Sequence, residues 1–372
     1  MKVLFISNDP NIFDAASAVR VRMRTYAAAL RELHILSHAN RDAHEEKEEN
    51  LFLHPVHTSK LFRTRALSAR AHALVLENAI DIVSAQDPFE HGLAALRAIR
   101  GTPAKLHVQV HTDFLSPWFV NCGVRMSLLN RYRRRLADRV LPAAAGIRVV
   151  SQRIKDSLIA RYHLRIPKPS VIPIAVSGTL PSPVPLPAHS FTFTLIAVGR
   201  LEPEKRVEDI FIALKHIAKQ YSMVGLFVVG EGRSGARLKQ TAHSLGLADR
   251  IIFLGDRSDA WGLMRSAQAF IQASAYEGYG RTLVEAALAR VPIITTDVGI
   301  VGDVFKSYED VLSSPVGDPM ALARNITKCI EDAMMRYKLP MHAETVARAH
   351  LASQGNFAER IRDDLMRTFQ SV

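Results

Sequence analysis

The sequence predicts an α/β protein in which two parallel sheets are each covered by helices. Short apolar, β-rich runs alternate with helical patterns along the 372 residues, which indicates parallel strands joined by crossover helices. The runs fall into two series, and the proline-rich connector between them, residues 178–187, cannot enter a sheet interior. We therefore predict two Rossmann-like, doubly wound domains, residues 1–178 and 179–350, followed by a C-terminal segment at residues 351–372.

The predicted strands follow in chain order. In the first domain they are residues 2–7, 34–37, 82–85, 106–110, 146–150 and 170–173. In the second domain they are residues 191–198, 223–229, 251–254, 269–273 and 292–295. Residues 43–50 are strongly polar and predict a surface loop, whereas residues 356–369 have the pattern of an amphipathic helix.

The composition favours a cytoplasmic protein. The two cysteines, Cys122 and Cys329, lie far apart in the sequence and predict no disulfide framework, which favours a reducing compartment. The short apolar start at residues 1–7 is interpreted as a strand and not as a signal peptide. No apolar run of about 18 residues occurs, so no transmembrane helix is expected.

The formal net charge of +12 is concentrated in the first half of the chain. Residues 1–178 hold 26 Lys and Arg against 15 Asp and Glu, whereas residues 179–372 hold 22 against 21. The densest basic segment is residues 125–139, and aromatic side chains precede it at residues 114–119. This combination suits a peripheral contact with an anionic membrane surface, although a simply solvated helix face has the same pattern. No nucleic-acid partner is expected, because no helix-turn-helix, RRM or zinc-ligand spacing occurs.

The most informative stretch is residues 274–287, in which Glu277 and Glu285 flank a Gly-x-Gly turn that opens a helical run. Such a turn leaves backbone N–H groups without intrahelical partners at a helix N-terminus, here those of Gly280, Arg281, Thr282 and Leu283. These donors and the helix dipole favour an anion such as a diphosphate. A carboxylate instead suits the hydroxyls of a sugar or ribose. The stretch therefore predicts a nucleotide-sugar site.

Residues 277–287 (EGYGRTLVEAA) resemble the E-x7-E signature of the retaining family 4 glycosyltransferases. Four further segments resemble elements of the same family in the same order: residues 171–176 (VIPIAV), 198–206 (VGRLEPEKR), 227–232 (FVVGEG) and 252–255 (IFLG). The resemblance implies the GT-B fold, in which two Rossmann-like domains face a cleft. It also implies that the C-terminal helix packs back on the N-terminal domain.

The loop after the predicted strand 191–198 carries Arg200 and Lys205. Two cations in such a loop can neutralise a departing diphosphate, although ordinary surface cations are the plainer interpretation of these residues taken alone. The family resemblance implies that both cations hold the donor phosphates without a metal. It also implies that Glu285 binds the ribose hydroxyls and that Glu277 is a catalytic or sugar-binding residue.

In the N-terminal domain, His111 follows a predicted strand and resembles the family histidine that faces the donor sugar. Asp113 and Asp87 also follow strands and are candidates for the cleft or for acceptor binding. His91 and His107 are expected to have ordinary structural roles.

The loop after the first strand departs from the glycine pair of many family members. Its small residues, including Ser17, still permit close approach to a phosphate, and Arg20 or Arg22 adds positive charge. Residues 298–303 (VGIVGD) also depart from the family pattern.

These features predict a retaining, hexosyltransferase-type glycosyltransferase. It would move a sugar from a UDP- or GDP-sugar to the hydroxyl of a glycan, a lipid-linked acceptor or a small molecule, with no metal or other cofactor. Two alternatives remain: a GT-B nucleotide-sugar epimerase, which needs no acceptor, and a non-catalytic nucleotide-sugar-binding protein.

Overall fold

The computed structural model describes residues 1–40, 42–121, 124–176 and 178–371, without the side chains of Val124 and Arg125. The chain forms two compact units. The first unit comprises Met1–Leu115, Gly123–Pro173 and Gly355–Val372, and the second comprises Ser116–Cys122 and Ile174–Gln354. The predicted boundaries at residues 178 and 350 lie close to those of the two units. The prediction about Cys122 falls outside the described residues.

The regular elements of the described residues alternate as predicted. The strands are β1 (Lys2–Ser7), β2 (Glu32–His38), β3 (Glu46–Glu48), β4 (Leu51–Val56), β5 (Ile82–Ala85), β6 (Lys105–Val110), β7 (Gly146–Val149), β8 (Ser170–Val171), β9 (Phe193–Val198), β10 (Val224–Val229), β11 (Ile251–Gly255), β12 (Ala269–Ile271), β13 (Ile293–Thr296) and β14 (Leu312–Ser314). The helices are α1 (Ala18–Ala28), α2 (Arg63–Asn78), α3 (Glu90–Ala98), α4 (Pro117–Val120), α5 (Val124–Val140), α6 (Gln152–Tyr162), α7 (Val207–Ile217), α8 (Gly235–Ser244), α9 (Ala260–Met264), α10 (Arg281–Leu288), α11 (Pro319–Glu331), α12 (Ala333–Ser353) and α13 (Phe357–Gln370).

The first unit is built on a sheet with strand order β3-β4-β2-β1-β5-β6-β7-β8, and of its described strands only β3 runs antiparallel to its neighbour. The prediction of a surface loop at residues 43–50 is therefore wrong in part, because Glu46–Glu48 form the edge strand β3 and pair with β4. Carboxylates suit this edge because Arg20 and Arg24 of α1 form ion pairs with it. The strand β4, which contains Pro55, was not predicted.

Helix α13 returns the chain to the first unit, where it lies against β5, β6, β7 and α1. The Asn356 side chain caps its N-terminus by accepting from the N–H groups of Ala358 and Glu359. Ile361 and Leu365 form its buried stripe, as expected for the amphipathic pattern predicted at residues 356–369.

The second unit has a fully parallel sheet with strand order β11-β10-β9-β12-β13-β14. Strands β9 to β12 are nearly continuous apolar runs, because helices cover both faces of such a sheet. The strand β14 was not predicted, since its three residues (LSS) are mostly polar. In parallel sheets ligands bind beyond the carboxyl ends of the strands, and this edge carries the residues after β9 and β12.

Candidate functional site

In the second unit, a cavity opens beyond the carboxyl ends of β9 and β12. It is lined by Ala197, Val198, Gly199, Arg200, Leu201, Lys205, Val207, Ile210, Val228, Ile271, Gln272, Ala273 and Ser274. Its floor is mostly apolar, and the charged groups come from the loop after β9. Arg200, at the rim, is strongly exposed and lies 3.8 Å from the Glu204 carboxylate.

Two charged residues predicted for the donor site meet at this cavity. The Nζ of Lys205 lies 2.5 Å from Oε1 of Glu277, and the Ser274 hydroxyl donates to the same oxygen at 2.8 Å. The two side chains are only 23% and 14% exposed. A backbone hydrogen bond of 2.7 Å from Ala275 N–H to the Glu204 carbonyl joins the two loops that carry them. The loops therefore hold the ammonium and the carboxylate in contact.

The turn after Glu277 delivers backbone donors to the start of α10. Gly280 is the N-cap with a φ of 90°, which favours glycine. Among the described residues, the N–H groups of Gly280, Arg281 and Thr282 have no hydrogen-bond acceptor. The prediction for Leu283 is wrong, because its N–H donates to the Gly280 carbonyl at 2.9 Å and so tightens the first turn.

Gly299, within the segment that departs from the family pattern, supports this turn. Its φ is 61°, and a Cβ there would lie 2.5 Å from the Tyr279 carbonyl oxygen and 3.1 Å from Cβ of Glu277. The Ile300 N–H donates to the same carbonyl at 3.1 Å. Only glycine allows the backbone this close approach, so residue 299 fixes the path of the turn.

Glu285 lies one turn into α10, as predicted, with its side chain 13% exposed. Burial raises the pKa of its carboxyl, although the charge and hydrogen bond of Arg281 act in the opposite direction. Nε of Arg281 lies 2.8 Å from Oε1 of Glu285. The Trp261 indole N–H donates to the Glu285 carbonyl at 2.8 Å and anchors this part of the helix.

Sequence reasoning missed Gln272, which lines the cavity at the end of β12. The Thr282 hydroxyl donates to its Oε1 at 2.9 Å, whereas its buried Nε2 has no hydrogen-bond partner among the described residues. Gln272 is 7% exposed. A buried amide donor without an acceptor is costly in a folded protein, and here it lies at the lining of the cavity. The available signal was an amide residue directly after a buried apolar strand.

In the first unit, His111 follows β6 and is half-buried. Its Nε2 lies 3.1 Å from Oε1 of Gln109. Burial is the main effect that lowers the pKa of His111, and the positive charges of Arg148 and Arg22 lower it further, to about 3. The imidazole is therefore neutral near pH 7.

The structure corrects the role of Arg20. Its side chain is buried and donates to Glu46 at 2.8 Å, to Glu48 at 3.1 Å and to the Ile12 carbonyl at 3.0 Å. These contacts hold α1 to the sheet edge, so Arg20 is not available for a phosphate. Arg22, two residues further along α1, is exposed and forms no hydrogen bond or ion pair with another described residue.

The remaining candidates of the first unit have local structural contacts. Ser17 caps α1: its hydroxyl accepts from the Arg20 N–H at 3.0 Å and donates to the Asn11 carbonyl at 2.6 Å. The Asp87 carboxylate accepts from the Phe89 N–H at 2.7 Å and pairs with Nδ1 of His91. Burial alone would raise the pKa of Asp87, but His91 holds it below its usual value. Ser17 is thus engaged as the N-cap of α1, and Asp87 is engaged by residues at the start of α3.

Asp113 is half-buried in the loop after β6. Its negative charge partly offsets the effects of burial and of Arg161, which lower the pKa of Arg134. Asp113 therefore lies near a basic side chain of α5.

No group of three or more His, Cys, Asp or Glu side chains in the described ranges could hold a metal ion. Among the residues that the structure describes, no helix has the length and apolar character needed to cross a bilayer.

Two family models together cover most of the chain. One, described as "Glycosyl transferases group 1", matches residues 187–348, and the other, "Glycosyltransferase Family 4", matches residues 19–177. The chain belongs to the family 4, group 1 glycosyltransferases. The family predicted from residues 277–287 and their companion segments is thus confirmed.

Curated relatives match parts of this glycosyltransferase. The lipopolysaccharide core biosynthesis glycosyltransferase LpsD of Rhizobium meliloti is 26% identical over 196 residues, which cover 53% of either protein. The phosphatidylinositol N-acetylglucosaminyltransferase gpi3 subunit of Schizosaccharomyces pombe is 27% identical over 46% of this chain and 38% of its own length. The match thus spans about half or less of these relatives.

Solved structures match over nearly the whole glycosyltransferase. Sucrose-phosphate synthase from Thermosynechococcus elongatus has a TM-score of 0.80 and 17% identity, with complete coverage of both chains. Anabaena HepE, solved in complex with UDP-glucose, has a TM-score of 0.75 and 20% identity over 98% of this chain and 99% of its own. The fold is therefore GT-B, as predicted.

Proposed function

We propose that this glycosyltransferase is a retaining, hexosyltransferase-type enzyme that moves a sugar from a UDP- or GDP-sugar to an acceptor hydroxyl. The observation that carries the proposal is the contact between Lys205 and Glu277 at the cavity of the second unit. A cation, a carboxylate and the N-terminus of α10 are the groups that a diphosphate joined to a sugar requires.

Binding of the donor would divide the Lys205–Glu277 pair between its two parts. The diphosphate would take the ammonium of Lys205, assisted by the exposed Arg200 and by the free N–H groups at the start of α10. Glu277 would then be released to accept hydrogen bonds from the transferred sugar. Fixed positive groups at the diphosphate stabilise the charge that develops as the sugar leaves.

Glu285 would accept hydrogen bonds from the ribose hydroxyls of the nucleotide. Its carboxylate is largely buried, and the Arg281 guanidinium, with Nε 2.8 Å from Oε1, stabilises the negative charge. Gln272 would add a donor to the same ligand, because its Nε2 lies unpartnered at the cavity.

Transfer would proceed on the front face of the donor sugar, with the leaving diphosphate helping to take the acceptor proton. Cationic side chains and helix N–H groups supply the positive field at the phosphates in this mechanism, and no metal is required. EDTA should therefore leave turnover unchanged.

The acceptor would be a glycan or a lipid-linked saccharide, and the first unit offers a surface suited to an anionic membrane. Leu128, Leu129 and Tyr132 are exposed on α5, and Arg131 and Arg135 are exposed beside them. Apolar and basic side chains on one helix face can contact anionic lipid. The LpsD relative is named for lipopolysaccharide core biosynthesis, which is consistent with such an acceptor.

Vesicles test this surface. At low salt, phosphatidylglycerol vesicles should sediment the protein and phosphatidylcholine vesicles should not. The double variant Leu128→Ser/Tyr132→Ser should bind less, and absence of binding by the wild type would remove the membrane from the proposal.

The reaction itself is tested by proton NMR of the products. UDP-glucose and GDP-mannose are incubated with the enzyme, with and without lipid-linked or oligosaccharide acceptors. In both donors the bond from the anomeric carbon to the diphosphate is axial. A retaining enzyme should therefore give a product in which the bond from the anomeric carbon to the acceptor is also axial. An equatorial product would contradict the retaining assignment, and conversion of the nucleotide sugar without any acceptor would favour an epimerase.

A further inference from the structure

A buried face of the sheet in the first unit carries a row of polar side chains. In β6, His107 and Gln109 alternate with buried apolar residues and precede His111 on the same face. Ser84 of β5 lies opposite His107, and Arg148 of β7 lies opposite Gln109. Four of these five side chains, those other than His111, are almost completely buried.

Arg148 determines the orientation of the Gln109 amide. Its Nη1 donates to Gln109 at 2.8 Å, and a guanidinium has no acceptor atom. The Gln109 atom that faces Arg148 must therefore be the oxygen, Oε1. Nε2 of His111 lies 3.1 Å from this same oxygen, so it must carry a hydrogen and donate it.

The hydrogen bonds continue in one direction from Gln109. Its Nε2 donates to the Ser84 hydroxyl at 3.1 Å, and Ser84 lies 2.8 Å from Nδ1 of His107. Nε2 of His107 lies 3.0 Å from Oδ2 of Asp364 on α13. The row thus begins at a cation and ends at a carboxylate, and the contact with the cation at its start is the one that fixes the Gln109 amide.

Arg148 has an unusual set of partners for a residue that is 4% exposed. Besides Gln109, it donates to the carbonyls of Ile172 at 3.1 Å and Pro173 at 2.9 Å. It lies over the Phe357 ring at 5.3 Å, and no described carboxylate forms an ion pair with it. Burial lowers its pKa to about 10, so it stays charged near pH 7. A buried cation with neutral partners is costly, and stability alone does not favour it.

We propose that Gln109 and Arg148 are positioning residues that hold His111 as the neutral Nε2–H tautomer, which leaves Nδ1 to accept a hydrogen bond from a substrate hydroxyl. The inference rests on the proposed function, in which His111 takes part in sugar transfer. In this tautomer Nδ1 of His111 accepts a hydrogen bond from the substrate hydroxyl and so orients it. It does not act as a general acid.

The tautomer is measured directly on the full, unliganded chain by long-range proton–nitrogen NMR of the histidine rings. The His111 signals, assigned by their loss in His111→Ala, should show a protonated Nε2 and an unprotonated Nδ1 from about pH 5 to about pH 8. A protonated Nδ1 in the wild type would overturn the inference.

Variants separate positioning from stability. Gln109→Met removes the acceptor and should mix the two tautomers. It should also lower turnover by about a hundredfold with whichever donor the wild type uses, UDP-glucose or GDP-mannose. Gln109→Glu keeps an acceptor and should restore the Nε2–H tautomer. Ser84→Ala breaks the same row beyond Gln109, so it should lower stability but keep both the tautomer and the turnover.

If Ser84→Ala lost as much turnover as Gln109→Met, the effect of Gln109 would be structural only, and the inference would be overturned. Full turnover in His111→Ala would instead overturn the part of His111 in the proposed function, whatever tautomer the NMR spectrum records. The two failures are therefore distinguishable.

Discussion

Lys205 and Glu277 form an ion pair, which a diphosphate bound as proposed would open. At 2.5 Å and largely shielded from water, the pair holds Lys205 in position before the ligand arrives. A charged hydrogen bond of this kind contributes about 1.5–3 kcal/mol, which a diphosphate with two negative charges can replace. The pair therefore costs some affinity and supplies preorganisation in return.

Gln272→Met should separate ligand binding from stability at one residue. The substitution removes a buried amide donor without a partner, but it also removes the oxygen that accepts from the Thr282 hydroxyl; these opposing effects should leave the free energy of unfolding nearly unchanged. Donor affinity should fall by about tenfold, the effect of one lost hydrogen bond. Urea unfolding and calorimetric titration with UDP-glucose or GDP-mannose measure the two quantities.

Gln268→Met is the matched control at the other end of β12. Gln268 accepts from the Thr194 N–H at 2.7 Å, so this variant should lose stability and keep its donor affinity. Equal affinity in Gln272→Met and the wild type would remove Gln272 from the site.

The roles of some individual residues could not be predicted from the sequence. The charges of Arg20 and Arg22 were equivalent in sequence, and only packing of α1 against β3 buries one and exposes the other. Glu277, Glu285 and Lys205 could be named as candidates because local motifs contain them. Gln109 and Arg148 were missed because their contact depends on the pairing of strands 39 residues apart.

At the scale of elements, tight turns set the position of the site. Gly280 and Gly299 both have positive φ, and a Cβ at Gly299 would lie 2.5 Å from the carbonyl oxygen of Tyr279. The alternating pattern predicted most strands within about two residues. It missed β3, β4 and β14, because the first is wholly charged, the second contains a proline and the third is short and polar.

Gly299→Ala should disrupt the turn that carries Glu277. A Cβ at a φ of 61° is strained, and its 2.5 Å approach to backbone requires the chain to move. We expect a loss of about 2–3 kcal/mol in the free energy of unfolding and a loss of nucleotide binding. Thermal unfolding with and without nucleotide measures both.

Gly246→Ala is the control, because Gly246 has a φ of 71° and no atom within 4 Å of a Cβ. It should cost about 1 kcal/mol and leave nucleotide binding unchanged. If Gly299→Ala behaved like Gly246→Ala, residue 299 would have no part in the site.

At the scale of the whole molecule, the chain returns to its first unit through α13. The sequence predicted this helix from its amphipathic pattern, and its place on the first unit was implied by the family resemblance. The sequence did not predict that Ser116–Cys122 belong to the second unit, where Trp118 lies against Arg206. Such assignments depend on long-range contacts that no local pattern encodes.

Asp364→Asn should weaken the attachment of α13 in a pH-dependent way. Burial alone would raise the pKa of Asp364, but the hydrogen bond and charge of His107 hold it below its usual value. Its stabilisation is therefore present above the unfolded pKa of about 3.9 and is lost as the pH falls through the lower folded value. Near pH 7 the variant should lose about 3 kcal/mol of unfolding free energy.

Urea unfolding from about pH 7 down to about pH 3 measures this dependence. The difference between wild type and Asp364→Asn should shrink as the pH falls. Asp363→Asn, which changes the exposed neighbour, should differ little from the wild type at any pH. A difference that is constant with pH would contradict the role of the Asp364 charge.

The central claim, a nucleotide-sugar site built on Lys205 and Glu277, is tested most directly by thermal unfolding in EDTA with UDP, GDP, ADP, UDP-glucose and GDP-mannose. A ligand that binds the folded state at 100 times its Kd adds about 2.7 kcal/mol and raises the Tm by several degrees. We predict such a rise with one nucleotide and its sugar in the wild type. The control variant Lys215→Ala, which changes an exposed lysine of α7, should show the same rise. Folded Lys205→Ala should show none. No rise with any nucleotide in the folded wild type, or an equal rise in Lys205→Ala, would contradict the claim.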